Sequence, residues 1–443
     1  MKNCSFENLK TQRGVSLATI ARIFKSLKET ESVEYRGIEE VWWGRKYERS
    51  SKSMKILVNA TNLVVGGGVQ VATSFVVEAV RRAEADIEWT FCVSRAVAEN
   101  VRKILGNTAD PPLEIFDRNP NNLREVSSRI RVKDICKKTQ ADLAFTIFGP
   151  YLGEFSCSHF SGCAQGWFTH PNSVATVVVR RNKGFFKIVK TALMRVLSFH
   201  FFKKSQYFWI ELDIAREGLK RGVGKGDAHI WTIGNTCAQI FHEASKSEAN
   251  FSEKEIRLLA MGNPYGHKNF EIIPEVLAEL GKRNPERKFV FTLTAPESGK
   301  EWKNIKACAE ALGVGDCVRT VGKVALADCP KLYVDNHIVF MPTLLETFSA
   351  TYPEAMAMRR PIVTTDLDFA HDICKSAAVY YSPLDAKDAA TKILQVVEDS
   401  ALRERLLTEG GKVLAALPSP QEKYDQLVSC MRKIIEEEKR VER

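Results

Sequence analysis

The sequence predicts an α/β protein of two to three domains built on parallel sheets. Short apolar strands alternate with amphipathic helices from about residue 54 onward, the pattern of a parallel sheet covered by helices. The 443 residues exceed what one hydrophobic core usually serves. An apolar strand at residues 338–341 runs into a turn that opens a helix, and open α/β sheets bind ligands at such junctions.

The composition is that of a globular protein, with 44% apolar and 27% charged residues. No apolar run reaches about eighteen residues and no signal-peptide core follows Met1, so we expect a cytoplasmic protein without a transmembrane helix. The eleven cysteines include no Cys-x2-Cys pair, which favours free thiols over a zinc site or a disulfide framework. The formal net charge of +10 indicates an anionic partner.

Residues 1–53 differ from the rest of the chain. A short amphipathic helix is predicted at residues 17–28, where apolar side chains recur at helical spacing. The stretch that follows, residues 29–53, is rich in charged residues. We therefore interpret residues 1–53 as an extension appended to a fold that begins at Met54.

The first domain opens with a strand at residues 56–58, a turn containing Gly66, Gly67 and Gly68, and a helix at residues 69–82. Three glycines allow the backbone to approach a ligand closely, as in phosphate-binding loops. The loop lacks the Gly-x-Gly-x-x-Gly pattern, which disfavours a standard dinucleotide site. A tight turn without ligand contact is the alternative. Further strands are predicted at residues 88–93, 143–147 and 229–233.

His170 follows the loop at residues 162–169, on the ligand side of the first domain if strands and helices keep alternating. Histidine is the side chain best suited to proton transfer near neutral pH. His170 is therefore a candidate for contact with a ligand or for a catalytic role. The alternative is an inert loop histidine.

Residues 155–210 contain no Asp or Glu. Basic residues and aromatic residues alternate along this stretch; the basic ones are Arg180, Arg181, Lys183, Lys187, Lys190, Arg195, Lys203 and Lys204. Such a basic, aromatic and amphipathic stretch is typical of a helix on an anionic bilayer. Nucleic acid is the rival partner, but the long apolar periodicity favours lipid or core contact. An ordinary packed helix with a basic face is the third interpretation.

The second domain opens with a strand at residues 257–261, followed by a glycine-containing turn and a helix at residues 270–281. Lys268 ends that turn, which is the place for a cation that neutralises a diphosphate leaving group. Strands are also predicted at residues 288–294 and 318–323, and Lys323 at the end of the latter would lie against a nucleotide base. The Asp366-Leu-Asp368 triplet resembles a metal motif, but we interpret it as a loop and predict no obligatory metal.

Glu346 and Glu354 mark the junction after the strand at residues 338–341. If the helix begins near Phe348, both carboxylates can face the crevice beyond the strand. The free N–H groups at the start of that helix, at residues 347–350, would form an anion site for a diphosphate. The alternative is that both are solvated residues at a helix end.

The residues around the two glutamates carry a family resemblance. They are Pro-Thr-x-x-Glu-x-Phe-Ser at residues 342–349, Glu-Ala-Met-Ala at 354–357, and the strand at 360–365. This combination resembles the Glu-x7-Glu signature of retaining glycosyltransferases of family 4, also called group 1, which have two facing Rossmann-like domains in the GT-B architecture. The resemblance extends from about residue 54 to residue 411.

The resemblance implies an N-terminal acceptor domain at residues 54–240, a nucleotide-sugar domain at 241–417, and a C-terminal crossover helix at 418–443. It implies that Glu346 is catalytic and that the donor contacts are Gly67, Gly68, Lys268, Lys323, Thr347, Phe348, Ser349 and Glu354. Family members carry an arginine five residues before the lysine, where this chain has Asn263. That difference puts full activity in question.

The implied function is transfer of a hexosyl group from a nucleotide-diphosphate sugar to a glycan or lipid-linked acceptor, with retention of configuration, in cell-surface polysaccharide synthesis. No cofactor beyond the donor is implied, and no nucleic acid partner. An anionic membrane face would make the protein peripheral at the inner side of the membrane. The alternatives are an epimerase or phosphorylase on the same fold and a non-catalytic partner subunit, the latter suggested by Asn263.

Overall fold

The computed structural model describes residues 53–106, 111–170, 173–182 and 185–441. The extension predicted at residues 1–53 thus lies outside the described residues, apart from Ser53, and so does the helix predicted at residues 17–28. The side chains of residues 179–191, Met194 and Arg195 are also outside the description. These include most of the basic side chains on which the membrane prediction depends.

The first half of the chain forms one parallel sheet. Its strands are β1 (Met54–Ala60), β2 (Ile87–Ser94), β3 (Leu113–Phe116), β4 (Leu143–Thr146), β5 (Ser158–Gly162), β6 (Tyr207–Ile210) and β7 (Ile230–Thr232). Over the described residues their order is β3-β2-β1-β4-β5-β6-β7. Val58 of β1 pairs with Phe91 on one side and with Phe145 on the other, so β1 is an interior strand of the sheet.

The helices of this half are α1 (Gly67–Arg82), α2 (Arg95–Leu105), α3 (Val126–Thr139), α4 (Gly166–Thr169), α5 (Val174–Asn182), α6 (Phe185–Phe202), α7 (Asp213–Val223) and α8 (Gln239–Glu243). Phe241 of α8 packs against Tyr333 in the core of the second domain. Local chemistry explains where some begin: the Ser94 side chain caps α2 by accepting a hydrogen bond from the Val97 amide. Val69, Ala72 and Val76 of α1 are buried against the sheet, as their helical spacing predicts.

A second parallel sheet follows. Its strands are β8 (Glu255–Ala260), β9 (Lys288–Leu293), β10 (Val318–Thr320), β11 (Ile338–Met341), β12 (Ile362–Thr365) and β13 (Ala378–Tyr381). Their order in the described chain is β10-β9-β8-β11-β12-β13. Leu258 of β8 pairs with Phe291 and with Ile338, so β8 and β11 lie side by side in the centre. Loops that follow these two strands therefore meet at one edge of the sheet.

The helices of this half complete the two-domain architecture. They are α9 (Ile273–Arg283), α10 (Lys300–Ala311), α11 (Cys329–Val334), α12 (Thr351–Ala357), α13 (Asp368–Cys374), α14 (Ala386–Glu398), α15 (Ser400–Ala416) and α16 (Pro420–Val441). Asp385 and Asp399 cap α14 and α15 with their carboxylates. No helix in the described ranges is long and apolar enough to cross a bilayer.

The crossover helix α16 returns to the first domain, as the predicted fold class requires. Its apolar face is buried in the same core as β1 and α1; these residues are Tyr424, Leu427, Val428, Met431, Ile434 and Ile435. Polar contacts hold both ends of the helix. Arg82 pairs with Asp425 at 2.6 Å, and the Tyr207 hydroxyl donates to Glu438 at 2.8 Å.

A buried arginine organises the backbone behind the second sheet. Arg360 is 2% exposed, and among the described residues its guanidinium donates to main-chain carbonyls. The acceptors belong to Ser247, Tyr333, Val334, Asn336, Met358 and Arg359. These carbonyls include the C-terminal end of α11, where a cation is favoured. Arg360 thus joins α11 to the segment that links the two domains.

The strand predicted at residues 338–341 is confirmed as β11, and most other predicted strands differ from the observed bounds by one or two residues. The predictions omitted β3, β5, β6 and β13. β5 has no apolar alternation, because its His159 side chain is buried and hydrogen-bonded to Thr146 and Ser205. Tertiary contacts, not local pattern, make this segment a strand.

Candidate active site

The candidate site lies at the carboxyl edge of the second sheet, where the loops after β8 and β11 meet. The Leu344 amide donates to the His267 carbonyl at 2.7 Å and so joins the two loops. The Thr343 hydroxyl donates to the same carbonyl at 3.3 Å. These hydrogen bonds therefore hold the two loops together without a ligand.

Glu346 and Lys268 are in direct contact across these loops. The Lys268 ammonium lies 2.5 Å from Oε1 of Glu346, and the Thr343 hydroxyl donates to the same oxygen at 2.9 Å. The side chains are only 10% exposed for Glu346 and 13% for Lys268. A charge pair this shielded from water interacts more strongly than a surface pair. The structure thus brings together two residues that the sequence predicted separately, and it pairs them with each other.

Glu354 lies in the first turn of α12 and is 7% exposed. The Tyr333 hydroxyl, on α11, donates to its Oε2 at 2.6 Å. Burial raises the pKa of Glu354 to about 7, although the Tyr333 hydrogen bond and the Lys268 charge partly oppose this shift. Sequence reasoning missed Tyr333 because it lies 21 residues away and carries no local signal.

The helix predicted to begin near Phe348 begins instead at Thr351. Residues 347–350 form a loop before it, in which Thr347 and Ser349 are buried. Their amides and that of Phe348 have no backbone acceptor among the described residues. The amides predicted to form an anion site at the start of the helix therefore belong to the loop that precedes it.

His170 terminates the short helix α4, and is not part of an open loop. Its Nδ1 lies 2.8 Å from the Thr169 hydroxyl, and its Nε2 is buried without a hydrogen-bond partner in the described structure. Burial lowers the pKa of His170, the negative charge of Asp368 raises it, and Arg221 lowers it. His170 of the first domain and Asp368 of the second are thus electrostatic neighbours.

The interpretation of the Asp366-Leu-Asp368 triplet as a loop is wrong at its last residue, because Asp368 is the first residue of α13. Asp366 precedes the helix and pairs with His371 at 2.6 Å. No cluster of three or more His, Cys, Asp or Glu side chains suited to a metal ion occurs among the residues described.

The remaining predicted donor contacts are more peripheral. Gly67 and Gly68 are the first residues of α1, not members of the preceding turn, and a side chain at Gly67 would meet no atom within 4 Å. Lys323 lies in an exposed loop, because β10 ends at Thr320 and not at residue 323. Asn263 is exposed, and its carbonyl accepts a hydrogen bond from the Tyr265 amide at 2.7 Å.

An apolar contact between the domains lies beside Glu346 and was missed by sequence reasoning. A Cβ added to Gly166 of α4 would lie 2.8 Å from Cγ of Leu345, which directly precedes Glu346. The cluster around this contact consists of Trp167, Val174, Ala175, Val178, Leu344 and Leu345. Both domains therefore reach the glutamate loop, and the glycine permits the close approach.

A buried polar cluster on the first domain also approaches the site. The Asn235 amide donates to Glu211 at 2.6 Å, and Lys423 of α16 lies 2.9 Å from Oδ1 of Asn235 and 3.7 Å from Glu211. Burial lowers the pKa of Lys423 to about 8. Burial raises the pKa of Glu211, and the negative charge of Glu346 raises it further. The Lys423 charge and the hydrogen bonds from Asn235 and Lys423 lower the pKa of Glu211. Glu211 is therefore an electrostatic neighbour of Glu346.

Parts of the chain are similar in sequence to known proteins. Residues 241–413 match the family model described as glycosyl transferases group 1. Alpha-D-kanosaminyltransferase of Streptomyces kanamyceticus is 23% identical over 245 residues, which cover 53% of this chain and 62% of that protein. D-inositol 3-phosphate glycosyltransferase of Corynebacterium jeikeium (strain K411) is 28% identical over 135 residues, 29% of this chain and 32% of that protein. The matched regions span less than two thirds of either relative.

The fold has solved counterparts. Anabaena Alr3699/HepE, determined in complex with UDP and glucose, aligns with a TM-score of 0.61 at 14% identity, over 86% of this chain and 100% of that one. Its similarity concerns the fold, because the identity is low. Residues 241–413 are thus similar to the group 1 glycosyl transferases, and the two parallel-sheet domains have the fold of solved GT-B glycosyltransferases.

Proposed function

We propose that the protein transfers a sugar from a nucleotide-diphosphate sugar to a glycan or lipid-linked acceptor, with retention of anomeric configuration. The observation that carries this proposal is the placement of Lys268, Glu346 and the buried Glu354 on elements at one sheet edge. All three lie within residues 241–413, the range matched by the family model. A role in cell-surface polysaccharide synthesis is the physiological context we propose.

Each group has a chemical role in this proposal. Lys268 and the loop amides of residues 347–349 neutralise the charge that develops on the departing diphosphate. Glu354 accepts hydrogen bonds from the ribose hydroxyls. Glu346 holds the sugar ring by its hydroxyls and orients the anomeric carbon. The acceptor then arrives on the face from which the diphosphate leaves, so that no dedicated carboxylate base is required.

His170 is proposed to contact the transferred sugar or the acceptor from the first domain. Its buried Nε2 lacks a protein partner among the described residues, so a ligand hydroxyl would satisfy it. Proton NMR coupling at the new anomeric centre tests retention directly. An inverted product would overturn the proposed stereochemistry and make His170 the candidate general base.

Thermal shift against UDP, GDP and dTDP sugars tests the class of ligand. A ligand that binds only the folded state must raise stability, by about 2.7 kcal/mol at a hundredfold excess over Kd. We expect one nucleotide class to raise the unfolding temperature and the others to leave it unchanged. The absence of any shift at millimolar concentration would contradict the donor assignment.

A non-catalytic partner subunit is the second candidate function, and Asn263 favours it. An asparagine replaces one of the two cations that family members place near the diphosphate. Such a subunit would retain nucleotide binding through Glu354 and Lys268 but show no sugar transfer or donor hydrolysis. Restoring the cation by Asn263→Arg should then raise nucleotide affinity without creating turnover.

Glu354→Gln is expected to weaken nucleotide binding and to stabilise the free protein at alkaline pH. Loss of charged hydrogen bonds to ribose should cost about 1.5 to 3 kcal/mol of binding free energy, measurable by calorimetry. Because folding raises the pKa of Glu354 to about 7, the folded state favours its protonated form. Its contribution to stability is full below about pH 4.5 and is lost as the pH rises through 7. Glutamine does not titrate, so the variant should have the higher unfolding temperature at pH 8.

Glu78→Gln is the matched control, because Glu78 is also 7% exposed but lies on α1 of the first domain. It should leave nucleotide affinity unchanged. Equal affinities for the wild type and Glu354→Gln would contradict the ribose contact, while an unchanged pH profile would contradict only the titration argument.

The basic stretch is proposed to bind an anionic membrane face. Replacing Lys183, Lys187 and Lys190 by glutamine should release the protein from anionic vesicles, because each basic residue near such a surface contributes about 1 kcal/mol. Sedimentation with vesicles at low and high salt measures the effect. The matched control removes three exposed lysines of the second domain, Lys282, Lys300 and Lys303. Failure of the wild type to sediment at low salt would exclude the membrane proposal.

A further inference from the structure

Two cysteines of the first domain lie 21 positions apart in the sequence and are in contact in the structure. Cys136 lies near the end of α3, and Cys157 directly precedes β5. Their Sγ atoms are 3.5 Å apart. A disulfide requires about 2.05 Å, so the two sulfur atoms must still move together before they can bond.

The surroundings of the pair favour a reactive thiolate. The Ser156 hydroxyl donates to Sγ of Cys136 at 3.4 Å, and the Cys157 thiol lies within hydrogen-bonding distance of the same atom. These two contacts lower the pKa of Cys136 to about 6 against the opposing effect of burial, while the same pairing raises the pKa of Cys157. One proton is thus shared between two sulfur atoms.

The two thiols differ in access to solvent. Cys136 is fully buried, whereas Cys157 is only half-buried. A reagent therefore reaches Cys157 first, and Cys136 stands directly behind it. This is the arrangement of an entry thiol and a resolving thiol.

We propose that Cys136 and Cys157 form a dithiol modification site that reacts with small-molecule disulfides. Cys157 passes its proton to the neighbouring Cys136 thiolate and attacks a disulfide RSSR, which breaks the S–S bond and expels RS⁻. The departing RS⁻ takes the proton from Cys136 and leaves as RSH, so that Cys136 is again a thiolate. Cys136 then attacks Sγ of Cys157, which forms the protein disulfide and releases the second RSH. Two protein thiols are oxidised and one small disulfide is reduced to two thiols, so atoms and electrons balance.

The cross-link would join α3 to the segment between β4 and β5. Tyr151 and Phe155 of that segment stack at 4.9 Å in the same apolar cluster as Cys136. Earlier in the segment, the Phe148 carbonyl accepts a hydrogen bond from Asn62, which precedes the glycine turn. Closing a loop of roughly twenty residues restricts the unfolded chain, so the oxidised protein should unfold at a higher temperature.

The experiment treats the reduced full-length protein with oxidised glutathione and maps the products by peptide mass spectrometry under non-reducing conditions. We expect a peptide cross-linked between Cys136 and Cys157, without retained glutathione, and a higher unfolding temperature that returns to its starting value after reduction. Glutathione retained on the wild-type protein, a cross-link between other cysteines, or no reaction would overturn the proposal.

Variants in which one cysteine at a time is replaced by serine separate the roles of Cys136 and Cys157. Cys136→Ser should leave a stable mixed disulfide on Cys157, because the resolving thiol is gone. Cys157→Ser should prevent both the adduct and the cross-link, whereas Cys92→Ser, at a fully buried cysteine of the same cluster, should leave the cross-link intact. An adduct that resolves normally in Cys136→Ser would overturn the assignment. The wild-type peptide map remains decisive if a variant does not fold.

Discussion

Glu346→Gln should lower turnover by about 10²-fold or more while nucleotide affinity hardly changes. The substitution keeps the shape of the side chain but removes the charge that orients the sugar and stabilises the transition state, and such a loss is expressed mainly in kcat. In the free protein Glu346 holds Lys268 at 2.5 Å. Diphosphate binding must redirect Lys268, so removal of the competing carboxylate should not weaken nucleotide binding.

The measurement combines steady-state kinetics with calorimetric titration of the nucleotide diphosphate. Lys268→Met is the companion variant, which should lose nucleotide affinity as well as turnover. Because the two side chains are in contact, the double variant should lose less than the two single variants predict together. Equal losses of affinity and rate in Glu346→Gln would make Glu346 a ground-state ligand, and full activity would leave it without a catalytic role.

Arg360→Met should destabilise the second domain by about 3 to 5 kcal/mol, the range for removing one partner of a buried charged network. The methionine fills much of the space but donates no hydrogen bond, which leaves several buried main-chain carbonyls unsatisfied. Denaturant titration, followed by a signal from the second domain, measures the loss. The loss of stability should not depend on the proposed nucleotide site, because Arg360 does not contact Glu346 or Glu354 in the described structure.

The neighbouring Arg359 supplies a matched control. It is exposed, so Arg359→Met makes the same chemical change one residue away. We expect a change of less than about 0.5 kcal/mol there. Similar losses in both variants would mean that the hydrogen bonds of Arg360 to the carbonyls contribute little.

The sequence was sufficient for the fold where local pattern and tertiary environment agree. The apolar run of β11 and the strand-to-helix turn after it are encoded locally, so both were predictable. The bounds of the helix were not, because Pro353 tolerates a first helical turn at several registers. β5 was missed since its buried histidine is satisfied only by residues on other elements.

The candidate site was predictable as a set of residues but not as an arrangement. Glu346 and Lys268 each stand in a local motif, whereas their contact spans 78 positions of the chain and depends on β8 lying beside β11. Tyr333 and Glu211 carry no motif of their own, and the triplet that contains Asp368 does not indicate its place beside His170. They come to the site because parallel strands end at one edge and because the two domains meet there.

The return of α16 to the first domain has a consequence for biosynthesis. The core around β1 is complete only when residues 424–435 are present, although the strands of that sheet end at residue 232. At roughly 5 to 20 residues per second, the ribosome needs about 10 to 40 s to synthesise the intervening chain. During that interval the second domain can fold on its own contacts, while the first exposes the apolar groove that α16 will fill. The domain translated first is therefore the domain finished last.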